Sequence, residues 1–535
     1  MADPEFTEAE SRVLGAYFTN LDQPVFALRN LPEVVKGALF SRYSRTEKSL
    51  RRVLLDEFIN APESGFELLA GKVHGDDDMV AVKRAEEFYE RVLVGYGDDS
   101  VAELAGAHVA VERTSTLAAK ALEDSRVGIS PLEKSTRYVR FDRPGPDGRY
   151  LYHRGAELAH PAYERAADAL FAAYSSLIEP VTRAIRDRFP LEDGETDRAW
   201  KSATRAKALD LLRGLLPAGT LTNLGLYGNG RAFEYLITKM AAHELPECRA
   251  LAVDLHRELN KVIPSFVKRA MDERYGAPAV ARIARIRDRA AALARRSAVA
   301  EQGPSVRLVE HDPDAERKVV AAALFAHSNL SLDEQLADAE ASLEAMLEAM
   351  LSDRSNRRQR VPRAFEHAEY TFEIVANFAA YRDLHRHRML TQERQLLGTQ
   401  LGYDLPRGLA ELGVDGAFAA AVEAAATAHH TLDREIGPAL AQYIVPLAFR
   451  VRWYFRVNLR EIFHLCELRT TPQGHPDYRW VAQEMFRCVT AVHPRLARYA
   501  TFVDMGPGDE LERRRSERRL DEKLGALNAA RSDAD

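Results

Sequence analysis

"IVPLAFRVRWYFRVNLR", residues 444–460, has an earlier counterpart in the same chain, "LLPAGTLTNLGLYGNGR" at 215–231. Both open on apolar residues and a proline, and both close on Asn-x-Arg. Pro217 stands 12 residues before Asn229, and Pro446 stands 12 before Asn458. A second pair lies upstream in the same order. "YGDDSVAELAGAHVAVERTSTLAAKALEDSR" lays against "RVPRAFEHAEYTFEIVANFAAYRDLHRHR", Glu103 on Glu366, with a two-residue adjustment. One such pair is ordinary likeness between helical sequences; two in the same order predict a duplicated domain. We place the first copy at 13–290, the second at 305–510, and a charged C-terminal tail at 511–535.

The length of 535 residues fits more than one domain. Long Ala/Leu/Arg/Glu-rich segments predict helices, "LADAEASLEAMLEAMLSDR" being amphipathic. "EYTFEIVAN", aromatic and β-branched, predicts a strand. "ARIARIRDRAAALARRSAVAEQGPS", from residue 281, reads as a charged helix connecting the copies. The expected class is α+β: two tandem copies, mainly helical, with a small antiparallel sheet in each. A net charge of −6 gives no support to general nucleic-acid binding. Three scattered cysteines and the polar start "MADPEFTEAE" predict a reducing, cytoplasmic setting without disulfides or a signal peptide. No apolar run is long enough to predict a membrane span.

Two short stretches carry candidate chemistry. "RHRMLTQERQLLGT" (386–399) groups Arg386, His387 and Arg388. Guanidinium forks suit phosphates and polar heterocycle edges. If "ANFAAYRDLHRHR" is helical throughout, Arg386 and Arg388 lie about 200° apart and can serve two ligands but not one, unless the chain becomes extended there. The alternative is a solvated helix end. "SPLEKSTRYV" offers Ser130, Glu133, Ser135, Thr136 and Arg137. It reads either as a helix N-cap with a Ser130–Glu133 capping box or as a phosphate-binding turn. His385, His387 and His367 have no supporting carboxylate pattern, so no metal is expected.

Together these stretches resemble the flavin-dependent thymidylate synthases, whose signature is RHR, seven residues, then Ser, that serine being the second of an extended S-x-x-E-x-S-x-R-Y. Each copy keeps half of it. The second holds Arg386-His387-Arg388, but Arg394, Leu396 and Gly398 stand where the glutamate, serine and arginine belong. The first holds Ser130, Glu133, Ser135, Arg137 and Tyr138, but Ser125, Arg126 and Val127 stand at RHR. "RLVEHDPDAERKVVAAALFAHSNLS" (307–331) and "VNLREIFHLCELR" are similar to the family's opening and C-terminal parts.

The resemblance implies sites shared between subunits of a homotetramer. One side supplies RHR and a later arginine, here Arg469, with Met240 at that place in the first copy. The other supplies the E-x-S-x-R loop and an arginine, here Arg213, with Gln442 in the second copy. Retained residues are thus sorted by copy, implying one kind of composite site and a homodimer that imitates the tetramer. Met240 and Gln442, at vacated positions, are expected to tolerate alanine with near-normal nucleotide affinity unless they have acquired packing roles. The implied activity is one-carbon transfer to C5 of a uracil deoxynucleotide with FAD, and with NADPH and methylenetetrahydrofolate as co-substrates. Arg469 is implied to act on the base. Glu133, Ser135, Thr136, Arg137, Arg213, Arg386 and Asp383 are implied to bind the nucleotide. Arg386, His387, Arg388, Met389, Asn458 and Arg460 are implied to bind the cofactor. Asp383 stands where the family has a base-contacting glutamine, so another pyrimidine stays open, as do an inactive nucleotide- or flavin-binding protein and a helical interaction protein.

Overall fold

The structure is a computed structural model describing residues 6–31, 33–43, 46–60, 103–295 and 301–532. The upstream repeat segment before Glu103 lies outside them. The chain forms two compact units, which cut across the repeats. One comprises Met1–Glu112, Ala121–Glu133 and Asn223–Arg295; the other comprises Arg113–Lys120, Lys134–Thr222 and Arg296–Asp535.

Strands β1 (Gly106–Ser115), β2 (Ile129–Glu133) and β3 (Leu221–Asn229) form a three-stranded sheet in the order β1-β3-β2. The second copy repeats it as β5 (Glu369–Asn377), β7 (Arg450–Asn458) and β6 (Leu390–Arg394). It adds β4 (Ser305–His311) outside β5, giving β4-β5-β7-β6. Register repeats as well as order. Glu133 faces Leu224 as Arg394 faces Trp453, and Ile129 faces Gly228 as Leu390 faces Val457. In β7 the period-2 pattern turns Val451, Trp453, Phe455 and Val457 inward and arginines or tyrosine outward. β3 has the same alternation of buried and exposed positions. Each middle strand ends on an asparagine that caps the next helix. Asn229 accepts from the Ala232 amide and Asn458 from the Glu461 amide, at φ/ψ of −81/164° and −80/162°.

The repeat relation is closed by backbone pairing inside the second unit. Pro217 bridges to Pro446, its own counterpart. Around them the Ala218 N–H donates to Val445 and the Leu447 N–H to Leu216, both at 2.9 Å. The Gly219 N–H donates to Tyr443 and the Ala448 N–H to Gly214, at 2.7 and 3.0 Å. Every bond has its mate under exchange of the copies, the signature of a two-fold axis. The helices Pro161–Arg188 and Asp415–Ile436 pack together in this unit. The approach is close. A Cβ at Gly219 would lie 2.6 Å from the Tyr163 hydroxyl and 2.9 Å from the Tyr443 carbonyl oxygen. Gly219→Ala is expected to cost about 1–3 kcal/mol by overpacking, read as a lower urea midpoint.

Other expectations resolve simply. "LADAEASLEAMLEAMLSDR" lies in the helix Leu332–Leu351, and "EYTFEIVAN" is β5. The connector is helical over Gly276–Leu293. Ser130 and Glu133 form no capping box: they lie in β2, because the sheet offers their backbone a partner in β3. The tail forms the helix Arg514–Ser532, tied to 192–198 by Arg514 with Glu192 and Glu195, and by Arg198 with Asp521. Met240 and Gln442 are both buried, the packing role that was the exception to their expected tolerance. The Gln442 side-chain oxygen accepts from Arg394 and from the Leu397 amide. Among the described residues no helix is long and apolar enough to cross a membrane.

Candidate functional site

The helix Phe378–Leu384 ends with His385 as its C-cap, so Arg386, His387 and Arg388 lie beyond it. Of the two conformations the sequence left open, the helix stops short of RHR. Leu384 and His385 are fully buried, and the chain must extend there to bring Leu390 into β6. Exposure then alternates: Arg386 out, His387 in at 4 %, Arg388 out.

From the first copy, the turn after β2 brings Ser135, Thr136 and Arg137 to the same region of the second unit. The Ser135 hydroxyl accepts from the Arg137 amide at 3.2 Å, shaping the turn. The Arg137 guanidinium is held in a fork by Asp210: Nε donates to Oδ1 at 2.8 Å and Nη2 to Oδ2 at 2.6 Å. Burial opposes that charge, but Asp210 overrides it and raises the Arg137 pKa. His475 buttresses this pair. Its Nδ1 accepts from the Asp477 amide, leaving Nε2 to donate to the Asp210 carbonyl at 3.4 Å. Burial, then the charges of Arg213 and Arg137, hold His475 far below the usual imidazole pKa, so it is neutral.

Arg213, 3 % exposed, begins a tight turn after the helix Asp197–Leu212. Its Nη1 donates to Asp383 at 3.1 Å, while Nε and Nη2 are buried without a partner. Unpaired buried donors are rare in native proteins because each costs about 1–3 kcal/mol. Burial alone would raise the Asp383 carboxyl. Arg213, Arg386, Arg137 and Arg469 outweigh it and hold the group well below the usual carboxylate range. Arg137, Arg213, Asp383 and Arg386 line a 30 Å³ cavity together with Ser135 and Thr136. Arg213 and Ala379 also line an adjoining cavity of 710 Å³, walled by Lys207, Arg407, Asp477 and Trp480.

Arg469 closes the helix Leu459–Arg469. Its Nε donates to His387 Nε2 at 3.0 Å, and its guanidinium lies 5.6 Å from the Tyr478 ring centre. Burial pulls its pKa down, and Asp383 opposes that pull. His387 Nδ1 lies 2.6 Å from Glu461 Oε1. His464 stands beside them, with ligand-capable atoms of His387, Glu461 and His464 all within 4.8 Å of one another.

The remaining candidates lie elsewhere. Asn458 is the cap at the opposite end of the Arg469 helix, and Arg460 is bonded to Glu366 and the Val361 carbonyl. Eleven residues of helix separate Asn458 from Arg469 by roughly 16 Å. Met389 is exposed, and Glu133 is buried at the end of β2. Sequence reading missed Asp210, Glu461, His475 and Tyr478. A signal existed for Asp210, an acid inside the apolar run Leu209–Leu212, three residues before Arg213 on the same helix face.

Residues from both copies thus meet in one compact unit of one chain. Four guanidiniums, those of Arg137, Arg213, Arg386 and Arg469, surround one carboxylate, with two donors of Arg213 still unmet. Such a set fits a phosphate carried on a polar planar group.

Comparison with known proteins agrees on ancestry. The model of the thymidylate synthase complementing protein family matches twice, at residues 55–265 and 307–495. A UPF0159 protein of Chlamydia pneumoniae is 44 % identical over 514 residues, covering 94 % of this chain and 96 % of its own. A flavin-dependent thymidylate synthase of Geobacter sulfurreducens is 31 % identical over 215 residues, 38 % of this chain and 87 % of that protein. Among solved structures, a UMP/dUMP methylase from Streptomyces cacaoi bound with 5-Br dUMP is 20 % identical. It covers 38 % of this chain and 97 % of its own, at a TM-score of 0.31.

Proposed function

The chain belongs to the thymidylate synthase complementing protein family, in tandem form, and from that premise we infer a flavin-dependent methyltransferase acting at C5 of a uracil deoxynucleotide. The observation that carries this reading is the cavity lined from both copies, with Arg213 Nε and Nη2 buried and unpaired beside it.

Arg213, Ser135, Thr136 and Arg137 take the phosphate, Arg137 being preoriented by Asp210. Asp383, ionised and therefore acceptor-only, takes a ring N–H of the base. Arg469 donates to the base carbonyls. Uracil C5 is a poor carbon nucleophile, and a fixed cation at the carbonyls flanking N3 stabilises negative charge there, which makes C5 more enamine-like. The guanidinium is already oriented by His387 and partly desolvated, so little reorganisation is needed. When bound, a flavin would supply the reducing electron pair that the transferred one-carbon unit needs. Arg386 and Arg388, both exposed, would hold it with Met389, Asn458 and Arg460. NADPH and methylenetetrahydrofolate are the co-substrates the resemblance implies. His387, turned inward, acts on Arg469 in this reading rather than along the cofactor.

The test is direct. The purified chain should show an oxidised-flavin spectrum and convert dUMP to dTMP when given reductant and one-carbon donor. A protein that binds neither FAD nor dUMP in titration would end the proposal. Asp383 supports a second reading of the base, because a carboxylate accepts equally from a pyrimidine 4-amino group. Faster turnover of dCMP than of dUMP in the same assay would select it.

A further inference from the structure

Glu461 lies at the third position of the Leu459–Arg469 helix, where an acidic residue would ordinarily be read as favouring the helix start. Its surroundings say more. Glu461 is 6 % exposed and His387 4 %, and they meet at 2.6 Å, a short charge-assisted contact. The other nitrogen of the same ring receives the Arg469 Nε–H at 3.0 Å. An arginine only donates, so His387 Nε2 must be bare. The ring proton is therefore on Nδ1, facing Glu461. One arrangement of hydrogens satisfies both contacts: Arg469 Nε–H to His387 Nε2, and His387 Nδ1–H to Glu461.

We propose that Glu461 is the positioning residue for Arg469: it fixes His387 as the Nδ1–H tautomer, and that tautomer holds the guanidinium over the nucleotide site. The proposal rests on the functional reading that Arg469 meets the base. Helix side chains lean toward the N-terminus, so Arg469 reaches back along its own helix to the imidazole. The ring is wedged between two residues about 12 Å apart along the axis. Without the carboxylate, the ring would be free to carry its proton on Nε2. It would then present a donor to a donor, and Arg469 would lose its orientation.

His387, Glu461 and His464 also have the residue types of a cation site. The Arg469 contact argues against that use. A metal on His387 Nδ1 would leave the ring proton on Nε2, against the Arg469 N–H.

The test uses the full chain labelled with ¹⁵N-histidine, comparing the parent with Glu461→Gln and Glu461→Leu. His387 is assigned by loss of its signal in His387→Gln. The parent should show a neutral, Nδ1-protonated His387. Glutamine keeps an acceptor oxygen, so Glu461→Gln should retain that tautomer and bind dUMP within about threefold of the parent. Glu461→Leu should lose the tautomer and weaken dUMP binding about tenfold or more, the scale seen when a supporting shell is removed. The tautomer is read without nucleotide, so a parent that ignores dUMP defeats the functional reading and leaves this measurement decisive. An Nε2-protonated His387 in the parent would overturn the proposal. So would Glu461→Leu with unchanged tautomer, Glu461→Gln as impaired as Glu461→Leu, or stoichiometric binding of Zn²⁺ abolished by Glu461→Leu.

Discussion

Arg213→Met folds at least as well as the parent and binds nucleotide at least about 30-fold more weakly. Two energies of opposite sign lie behind this. In the free protein Arg213 is buried with Nε and Nη2 unpaired, each unmet donor costing about 1–3 kcal/mol. Its ion pair with Asp383 offsets part of that cost. Removing one partner of a buried pair usually destabilises by about 3–5 kcal/mol, because a bare charge is left behind. Here Asp383 is not left bare: Arg386, Arg137 and Arg469 still act on it. Four crowded cations become three, which relieves mutual repulsion, so the unfolding midpoint should hold or rise. Binding is different. A phosphate that completes the Arg213 fork loses a desolvated charge partner worth about 2–5 kcal/mol. Calorimetry with dUMP alongside urea unfolding checks both halves. A Met variant that unfolds easily and binds normally would make Arg213 a structural residue.

Asp383→Asn should give the largest loss of stability, about 3–5 kcal/mol. The amide can still accept one hydrogen bond from Arg213, but the negative charge that acts on Arg213 and Arg469 would be gone. The pH dependence has a definite sign. The folded carboxyl is held below its ordinary value by Arg213, Arg386, Arg137 and Arg469 against the opposing effect of burial. Its contribution is therefore fully present above the unfolded pKa of about 3.9 and is lost as pH falls through the lowered folded value. Parent and variant should differ most at neutral pH and converge in acid. Unfolding midpoints followed from above the unfolded pKa to below the lowered folded value measure this. A constant gap across the range would mean that the loss comes from shape rather than charge.

How far sequence reaches is plain from individual residues. The duplication was legible because Pro217 and Pro446 keep their spacing to Asn229 and Asn458, and spacing survives when side chains do not. β5 and β7 were legible from alternation. The end of the helix before RHR was not. "FAAYRDLHRHR" has no glycine or proline, and what stops it is β6 claiming the chain for the sheet, a tertiary event. The same competition turned Ser130 and Glu133 from a cap into a strand. Arg137, Arg213, Arg386 and Arg469 could be nominated through resemblance. Asp210 and Glu461 could not, since each matters through a residue distant in sequence, at 73 and 74 positions.

The paired prolines at 217 and 446 have a consequence for how such a chain can change over generations. Two separate identical subunits meeting across that axis must each keep every residue of both half-sites, because one gene writes both faces. Once the faces lie on one polypeptide, their meeting is intramolecular, at an effective concentration in the millimolar range whatever the cellular abundance. Each face is then written independently, and a loss on one is invisible wherever the other supplies the group. Gln442, where the counterpart of Arg213 would stand, has already been turned to holding Arg394 and Leu397. On the proposed reading of the site, covalent linkage acts as a licence for division of labour, and it cannot readily be revoked: a chain cut between its copies would yield two pieces, neither carrying both sets of arginines.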